Sequence, residues 1–405
     1  MSALASTSRA QLRYILESTF GVTPNTGNGT NLRMTGESLN YSLTKEESKE
    51  IRADRQISSA VTTDADAAGG INFELSYDEY DPFLEAVFMN NFTVFGTNGV
   101  GATFTADFTA TTITASVATS GSSIFTSLKK GQWFRLLAPA NANNGKLFKV
   151  SETVAPTSTV ITLHASTPAT VGSTVANCAV QTSRLSNGTV EKSFTLEKEF
   201  NDVGQFFSFR GMYASKLSLQ FAAAALVTGS FDFMGKDSLR NTSTFLPGLP
   251  IASAPYDIMN GVRGVAQLWE GGAPLANTFV RSLSLTLDNN LRGQKAINNM
   301  GSVGIGVGDV SMTGQLEMYF ANGTFHDKFL NDTYTSLNFS MQDTAGNGYV
   351  MIMPKVLLMS GNVTAGQKNS DVMATYDFRA FSDDANADTT LRKTVFIDRV
   401  GVAVT

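Results

Sequence analysis

Residues 282–290 read SLSLTLDNN, and residues 38–46 read SLNYSLTKE. In both stretches leucine or tyrosine alternates with small polar residues, and this period of two is typical of a strand with one buried face. The second stretch begins 244 residues after the first (282 minus 38). A strand pattern that recurs at such a distance suggests that a whole domain is repeated.

Five further blocks of the first half recur in the second half in the same order. GGINFEL (69–75) matches GQLEMYF (314–320), FLEAVF (83–88) matches FHDKFL (325–330), SFTLEK (193–198) matches SLNFSM (336–341), FFSFRG (206–211) matches YVMIMP (349–354), and SFDF (230–233) matches TYDF (375–378). Each pair alone is weak, but the shared order favours a duplicated β domain. The period is far longer than the roughly 20 to 50 residues of solenoid repeats.

The first copy is interrupted after its helix. Only NDTYT (331–335) separates the helix from the next strand in the second copy, whereas about a hundred residues stand there in the first. This segment contains short Thr, Val and Ala strands between Gly and Asn turns, which predicts an inserted small β domain. The fold class is therefore mainly β, with two tandem β-sandwich or barrel domains, each with a short helix, plus the inserted domain.

These patterns divide the chain into successive segments. The predicted segments are an N-terminal arm (1–30), a discontinuous first domain (31–95 and 189–235), the inserted domain (96–188), a connector (236–277), a second domain (278–385) and a C-terminal arm (386–405). Both arms are candidates for reaching a neighbouring subunit, because terminal segments become ordered when they find one.

Composition excludes several classes of function. The net charge of −5 offers no general attraction to nucleic acid, and no signal peptide or long apolar run is visible. With two histidines and one cysteine, the sequence predicts no catalytic, cofactor or metal site. Cys178 is expected to be a buried structural thiol. The acidic run YDEYD (77–81) is expected to cap a helix through Asp81, and Trp133 is expected in a core.

Several motifs together suggest a family. They are LRYILESTFG (12–21), SLNYSLTKEESKEIRADRQ (38–56), YDEYDPFLEAVF (77–88), KLSLQF (216–221) with VTGSFDFMG (227–235), SLSLTLDNN (282–290), and MTGQLEMYF (312–320) with FHDKFL (325–330). In this order, over most of residues 11–380, the chain resembles the major tail tube proteins of long-tailed, siphovirus-type bacteriophages. The resemblance is to the larger class, which has two tube domains per chain.

The resemblance implies a structural virion protein without enzymatic activity or cofactors. Three chains would form a pseudo-hexameric ring in which β sheets join edge to edge around a channel, and rings would stack head to tail. Phage DNA would pass through the channel without sequence-specific binding. The tape-measure protein and the tail terminator and tip proteins would be further partners. Assembly would occur in the host cytoplasm, without membrane insertion. Six domains of four strands each would give a circle about 37 Å across before tilt.

The alternation, read with this resemblance, assigns three sets of residues. The core set is Leu39, Tyr41, Leu43, Ile71, Phe73, Leu75, Leu283, Leu285, Leu287, Leu316, Met318 and Phe320. The channel-lining set is Asn40, Ser42, Asn72, Glu74, Ser76, Ser284, Thr286 and Glu317. The inter-ring set, in a charged loop, is Glu46, Glu47, Lys49, Glu50, Arg52, Asp54 and Arg55.

Three alternatives remain open at this point. A β-rich carbohydrate-binding or cell-surface module would need a secretion signal and an aromatic platform, and an outer-membrane barrel would need aromatic girdles. A tube protein of a contractile tail or secretion apparatus shares the tube domain but typically has one domain per chain. The inserted domain is expected to be a passive decoration, with weak host-surface or glycan affinity as its alternative.

Overall fold

The computed structural model describes residues 4–96, 101–118, 125–139, 141–261, 265–275 and 278–401. The first part of the chain contains β1 Ala10–Leu16, β2 Thr30–Leu32, β3 Gly36–Glu37, β4 Asn40–Glu47, β5 Ala60–Glu74, helix α1 Asp81–Phe88 and β6 Thr93–Val94. The inserted segment contains β7 Phe104–Phe108, β8 Thr112–Ala118, β9 Trp133–Leu137, β10 Leu147–Lys149, β11 Val160–Thr162 and β12 Gly172–Gln181.

The remaining elements complete the first tube unit and build the second. The first continues with β13 Ser183–Ser186, β14 Phe194–Phe200, β15 Gln205–Ala222, β16 Thr228–Gly235 and β17 Asp237–Asn241. The second contains β18 Val265–Glu270, β19 Ala273–Pro274, β20 Val280–Asp288, β21 Arg292–Gln294, β22 Gly304–Gly306, β23 Ser311–Tyr319, helix α2 Thr324–Leu330, β24 Thr335–Gln342, β25 Gly348–Ala365, β26 Val372–Phe381 and β27 Phe396–Val400. Short 3-10 turns lie at Thr7–Arg9 and Thr389–Leu391.

Strands of both units join in one antiparallel sheet, which we call the joined sheet. Its order is β4-β5-β16-β15 from the first unit, followed by β20-β23-β26-β25 from the second. Each unit contributes four strands in the same order, so the six sequence blocks correspond to equivalent elements. The mainly β fold with a duplicated domain is therefore confirmed.

The pairing register defines which residues are equivalent. Phe233 lies opposite Gly69, and Phe378 lies opposite Gly314, which makes Gly69 the counterpart of Gly314. Ala68 precedes Gly69 and pairs with Asn40, and Thr313 precedes Gly314 and pairs with Thr286. Asn40 is therefore the counterpart of Thr286. The sequence blocks SLNYSL and SLSLTL instead align Asn40 with Ser284, two residues away. A shift of two preserves the face of the strand, so the assignment of faces survives the correction.

A continuous apolar core lies beneath the joined sheet. Phe73 stacks on Phe231 with ring centroids 4.9 Å apart, and Phe83 of α1 packs against both Phe231 and Phe233. Most of the predicted core set is buried here. The structure corrects two members, because Leu43 on the edge strand β4 is 48% exposed and Phe320 beyond the end of β23 is 41% exposed.

The inserted segment has a sheet and a core of its own, and it is fixed to the second tube unit. Its sheet runs β10-β9-β12-β7-β8-β11. Trp133 of the insert packs edge-on against Trp269 of β18, with ring centroids 4.8 Å apart, in a cluster with Ile352, Leu391 and Phe396. Trp133 is thus a buried contact between the insert and the tube unit.

Both predicted arms are largely part of the fold. In the N-terminal segment, β1 pairs with β14 and β2, and its Leu12 is fully buried. In the C-terminal segment, β27 pairs with β13 and β25. These strands are therefore part of the chain's own sheets, and their apolar side chains complete its core; that the terminal segments reach a neighbouring subunit stays a prediction. The outermost residues, 1–3 and 402–405, lie outside the described residues, as do 97–100, 119–124 and 140 of the insert and 262–264 and 276–277 of the connector.

The predicted connector also contains ordered strands. β17 pairs with β15 of the first unit, and β18 pairs with β24 of the second.

Cys178 is fully buried in the insert, and burial raises the pKa of its thiol to about 11. Neither helix in the described part of the chain has the length and apolar character needed to cross a membrane.

Candidate self-assembly surface

The joined sheet ends in two strands that have a partner on one side only. At one end, β4 pairs with β5 along its length, and the described residues provide no strand for its other edge. At the other end, β25 pairs with β26, while its second pairing partners β24 and β27 stop at Val356 and Ile352. Residues 357–365 of β25 therefore have an open edge, and open edges are templates for pairing with another chain.

The junction between the two tube units shows how such edges pair. In this antiparallel contact β15 and β20 align over seven residues of each strand, from Lys216 opposite Asp288 to Ala222 opposite Ser282. Between these ends, apolar pairs such as Leu219 with Leu285 face the core. Polar pairs such as Ser218 with Thr286 face the other side. The edge of one unit and the first strand of the next therefore complement each other on both faces.

One face of the joined sheet is polar along its whole width. Seven of the eight predicted channel-lining residues are exposed or half-buried at positions on this face: Asn40, Ser42, Asn72, Glu74, Ser284, Thr286 and Glu317. The eighth, Ser76, is fully buried beyond the end of β5, so its assignment to a channel surface is wrong. The alternation continued past the last strand residue, and sequence alone does not show where β5 ends.

The strand pairing places further residues on the polar face, beyond those predicted from the sequence. They include Ser218, Gln220, Ser230, Asp232, Gln315, Ser360, Asn362, Thr375 and Asp377. Their strands were recognised, but the side each residue faces depends on bulges, such as the one between Ala214 and Lys216. Continuing the alternation of SKLSLQF and TYDF across the strands would have identified several of them.

The charges on the polar face are mainly negative. Carboxylates at Glu74, Asp232, Asp288, Glu317 and Asp377 lie on it. Two of its cations are already paired with carboxylates: Lys216 lies 3.2 Å from Asp288 and Arg281 lies 3.3 Å from Glu317. A polyanion next to this face would find few free cationic partners.

The predicted inter-ring residues lie together on a hairpin at one end of the sheet. We call residues 43–59, the end of β4 and the loop that leads from it to β5, the charged hairpin. Glu46, Glu47, Lys49, Glu50, Arg52, Asp54 and Arg55 are all exposed there. Arg52 pairs with Asp54 at 2.8 Å, and this contact holds the pKa of Asp54 below its usual value. The hairpin therefore presents charges of both signs to solvent.

The opposite end of the sheet has a different character. Both helices follow strands that end there, α1 after β5 and α2 after β23. Exposed apolar side chains at this end include Phe279, Tyr319, Phe320 and Leu330, of which Phe279 is 72% exposed. The two ends of the joined sheet are thus chemically distinct.

The acidic run at residues 77–81 binds protein groups rather than capping α1. The cap residue is Tyr80, while Asp81 accepts a hydrogen bond of 2.5 Å from the Tyr349 hydroxyl and pairs with Arg399. These contacts tie the first tube unit to β25 and β27 of the second. Across the described residues, no group of three or more His, Cys, Asp and Glu side chains is arranged to hold a metal ion.

Asp81 gives the contact between the tube units a defined pH dependence. Burial raises its pKa to about 6, although Arg399 and Tyr349 oppose the shift. A carboxyl group with a raised pKa stabilises the fold at low pH, and that contribution is lost as the pH rises through about 6. We expect the free energy of unfolding of the wild type, relative to Asp81→Asn, to fall between pH 4 and pH 7. The decrease, measured by urea unfolding, should be roughly 1.4 kcal/mol for each pH unit by which the fold raises the pKa of Asp81.

Asp377 serves as a control, because its stability contribution should change with pH in the opposite direction. Hydrogen bonds from Ser360 and Gln315 hold its pKa below the usual value. Stability relative to Asp377→Asn should therefore rise, not fall, as the pH increases through the acid range. Equal slopes for the two variants would contradict the assignment of the raised pKa to Asp81.

Comparison with known proteins agrees with this architecture. The family model described as phage tail tube protein matches residues 7–380, which include the first tube unit, the insert and most of the second tube unit. A search of curated proteins found no match. The family is one of structural proteins that assemble into the tube of a virion tail, and not a family of enzymes. On the strength of this match over nearly the whole chain, the protein belongs to the phage tail tube protein family.

Proposed function

We propose that three copies of this chain close into a ring by pairing β25 of one chain with β4 of the next, and that stacked rings form the hollow tail tube of a siphovirus-type phage. The observation that carries the proposal is the β15–β20 junction inside the chain. Since β25 is the counterpart of β15 and β4 is the counterpart of β20, the open edges can repeat the internal junction between chains. A head-to-tail contact of this kind closes into a ring when the rotation between neighbouring chains divides a full turn.

The internal junction also specifies the register between chains. Ser360 lies opposite Asp377 as Lys216 lies opposite Asp232, so Ser360 takes the place of Lys216. On the other strand, Ser42 takes the place of Asp288. Ser360 of one chain would therefore face Ser42 of the next, and Asn362 would face Asn40. Each pair joins two polar residues, so the polar face continues across the chain boundary.

The number of strands fits a channel for duplex DNA. Eight strands per chain in the joined sheet give 24 strands for three chains, and a spacing of about 4.8 Å gives a circle about 37 Å across before tilt. Inward side chains still leave room for a duplex about 20 Å wide. Closure of the sheet would remove the open edges of β4 and β25.

The polar face of the sheet is the surface that we assign to the channel. Its carboxylates would repel phosphate, and its cations Lys216 and Arg281 already pair with carboxylates, so DNA would pass without being held firmly. The tape-measure protein would occupy the same channel before the genome, and the tail terminator and tip proteins would close its two ends. Assembly in the host cytoplasm fits a fold in which the one cysteine of the sequence is buried and unpaired.

The chemical difference between the two ends of the sheet supports head-to-tail stacking. The charged hairpin projects from one end, while Phe279 and Leu330 are exposed at the other. We propose that the hairpin contacts the next ring, where its mixed charges would fix the angle between rings. Identical ends would instead favour pairs of rings facing each other.

Negative-stain electron microscopy of the purified full-length chain tests this function. We expect hollow rings or tubes whose axial views show three-fold symmetry with six similar inner lobes, since each chain contributes two tube units. Particles that remain solid and monomeric at high concentration would overturn the ring proposal. Six-fold rings of six chains would overturn the proposed stoichiometry.

A further inference from the structure

A lysine clamp closes one end of the junction between the two tube units. Lys295 lies in the loop between β20 and β23, yet its Nζ reaches across to β5 of the first unit. It lies 2.9 Å from Asp64 Oδ1 and 2.6 Å from Asp66 Oδ1, and it donates to the carbonyl oxygen of Ala65 at 2.9 Å. The clamp joins the loop after β20 to β5, across the intervening strands β15 and β16, at the end where the charged hairpin projects.

The sequence carries a second lysine at the equivalent position. Lys295 is seven residues past Asp288, and Lys49 is seven residues past Ser42, the counterpart of Asp288. An isoleucine follows two residues later in each loop, and both Ile297 and Ile51 are almost completely exposed. The two loops therefore share a Lys-x-Ile motif at the same distance from the junction strand.

The acidic partner of the clamp also has a counterpart. Asp64 is five residues before Gly69, and Asp309 is five residues before Gly314, its equivalent glycine. Asp309 is exposed, and so is Lys49. Neither side chain takes part in an ion pair in the described part of this chain, so both are available to another molecule.

We infer that Lys49 of one chain pairs with Asp309 of the neighbouring chain in the same ring, repeating the internal clamp at each chain boundary. This inference rests on the proposed ring, because only the pairing of β25 with β4 brings the two residues together. Ser311 stands where Asp66 would be, so the clamp between chains has one carboxylate where the internal clamp has two. It is therefore the weaker of the two.

The inference changes the role of part of the charged hairpin. In the single chain, β4 continues to Glu47 against β5, whereas its counterpart β20 ends at Asp288 and the loop after it bends onto the neighbouring unit. Ring closure would bend residues 43–59 in the same way. Lys49 would then act within the ring, leaving Arg52, Asp54 and Arg55 near the tip to contact the next ring.

A charge-reversal experiment on the full chain tests the clamp. The readout is the protein concentration at which half of the chains sediment as rings or tubes in analytical ultracentrifugation at low salt. Lys49→Glu should raise this concentration by roughly twofold to fivefold, as expected for an exposed ion pair. Adding Asp309→Lys to Lys49→Glu should restore it, because the pair is then reversed. Salt should reduce the difference between variants.

Lys45→Glu serves as the matched control, since it reverses an exposed lysine on the same hairpin without an equivalent in the clamp. If Lys49→Glu behaves like this control, or if Asp309→Lys fails to restore assembly, the proposed contact between Lys49 and Asp309 is refuted. Failure of the ring proposal is distinguishable, because the wild type would then form no rings at any concentration.

Discussion

A chain carrying both Asn40→Cys and Asn362→Cys should become covalently linked to its neighbours in the assembled tube. The internal junction places Ser218 opposite Thr286, and these are the counterparts of Asn362 and Asn40. Residues directly opposite in an antiparallel pair have Cα atoms about 4.5 to 5.5 Å apart, which is within the range of a disulfide. After oxidation, a denaturing gel without reductant should show a ladder that ends at three chains, with most of the protein in the largest band.

The native thiol does not interfere with this measurement. Cys178 is fully buried, and burial raises its pKa to about 11, so little reactive thiolate forms in the folded chain. The control combines Asn40→Cys with Val363→Cys, which moves one cysteine by one residue to the other face of β25. Equal cross-linking of the control would refute the register, and a ladder ending at six chains would refute the three-chain ring.

Asp398→Ala is expected to cost about 3 to 5 kcal/mol of stability, the usual cost of leaving one charge of a buried ion pair without its partner. Asp398 is fully buried on β27 and accepts hydrogen bonds from Arg184 at 2.6 and 2.7 Å and from the Trp133 backbone N–H at 2.7 Å. These partners belong to β13 and to the insert. Loss of the carboxylate would therefore loosen the insert from the tube unit first.

Urea unfolding, followed by tryptophan fluorescence, measures this effect, because Trp133 and Trp269 meet at the affected contact. Asp54→Ala provides the control, since it breaks the exposed pair with Arg52 and should leave the unfolding midpoint unchanged. Asp398→Asn should be milder than Asp398→Ala because it retains an oxygen acceptor. An unchanged midpoint for Asp398→Ala would show that Arg184 finds another partner or reaches water.

The repeated fold was accessible from the sequence because strand periodicity is a local property. Alternation in SLSLTL and GQLEMYF follows from one buried and one polar face, and the order of the blocks indicated the duplication. What periodicity does not contain is the end of a strand or the position of an edge. Leu43 alternates like a core residue but lies on an edge strand, and Ser76 alternates like a surface residue but is buried.

The contacts between units were not predictable from local patterns. The ion pair of Arg184 with Asp398 joins residues 214 positions apart, and nothing near either residue indicates the partner. The sequence predicts an arm at the C-terminal strand for a similar reason. Its sequence FIDRV has the composition of a strand, but its partners β13 and β25 come from distant parts of the chain. Long-range pairing of this kind requires three-dimensional information.

The placement of the β15–β20 junction within one chain has a kinetic consequence. The two strands are tethered by the chain from Ala222 to Val280, so their encounter is intramolecular and independent of protein concentration. In a ring of three chains, half of the six junctions would be formed before any two molecules meet. Dilution or a competing peptide would then act on assembly through the other half alone, at the open edges of β4 and β25.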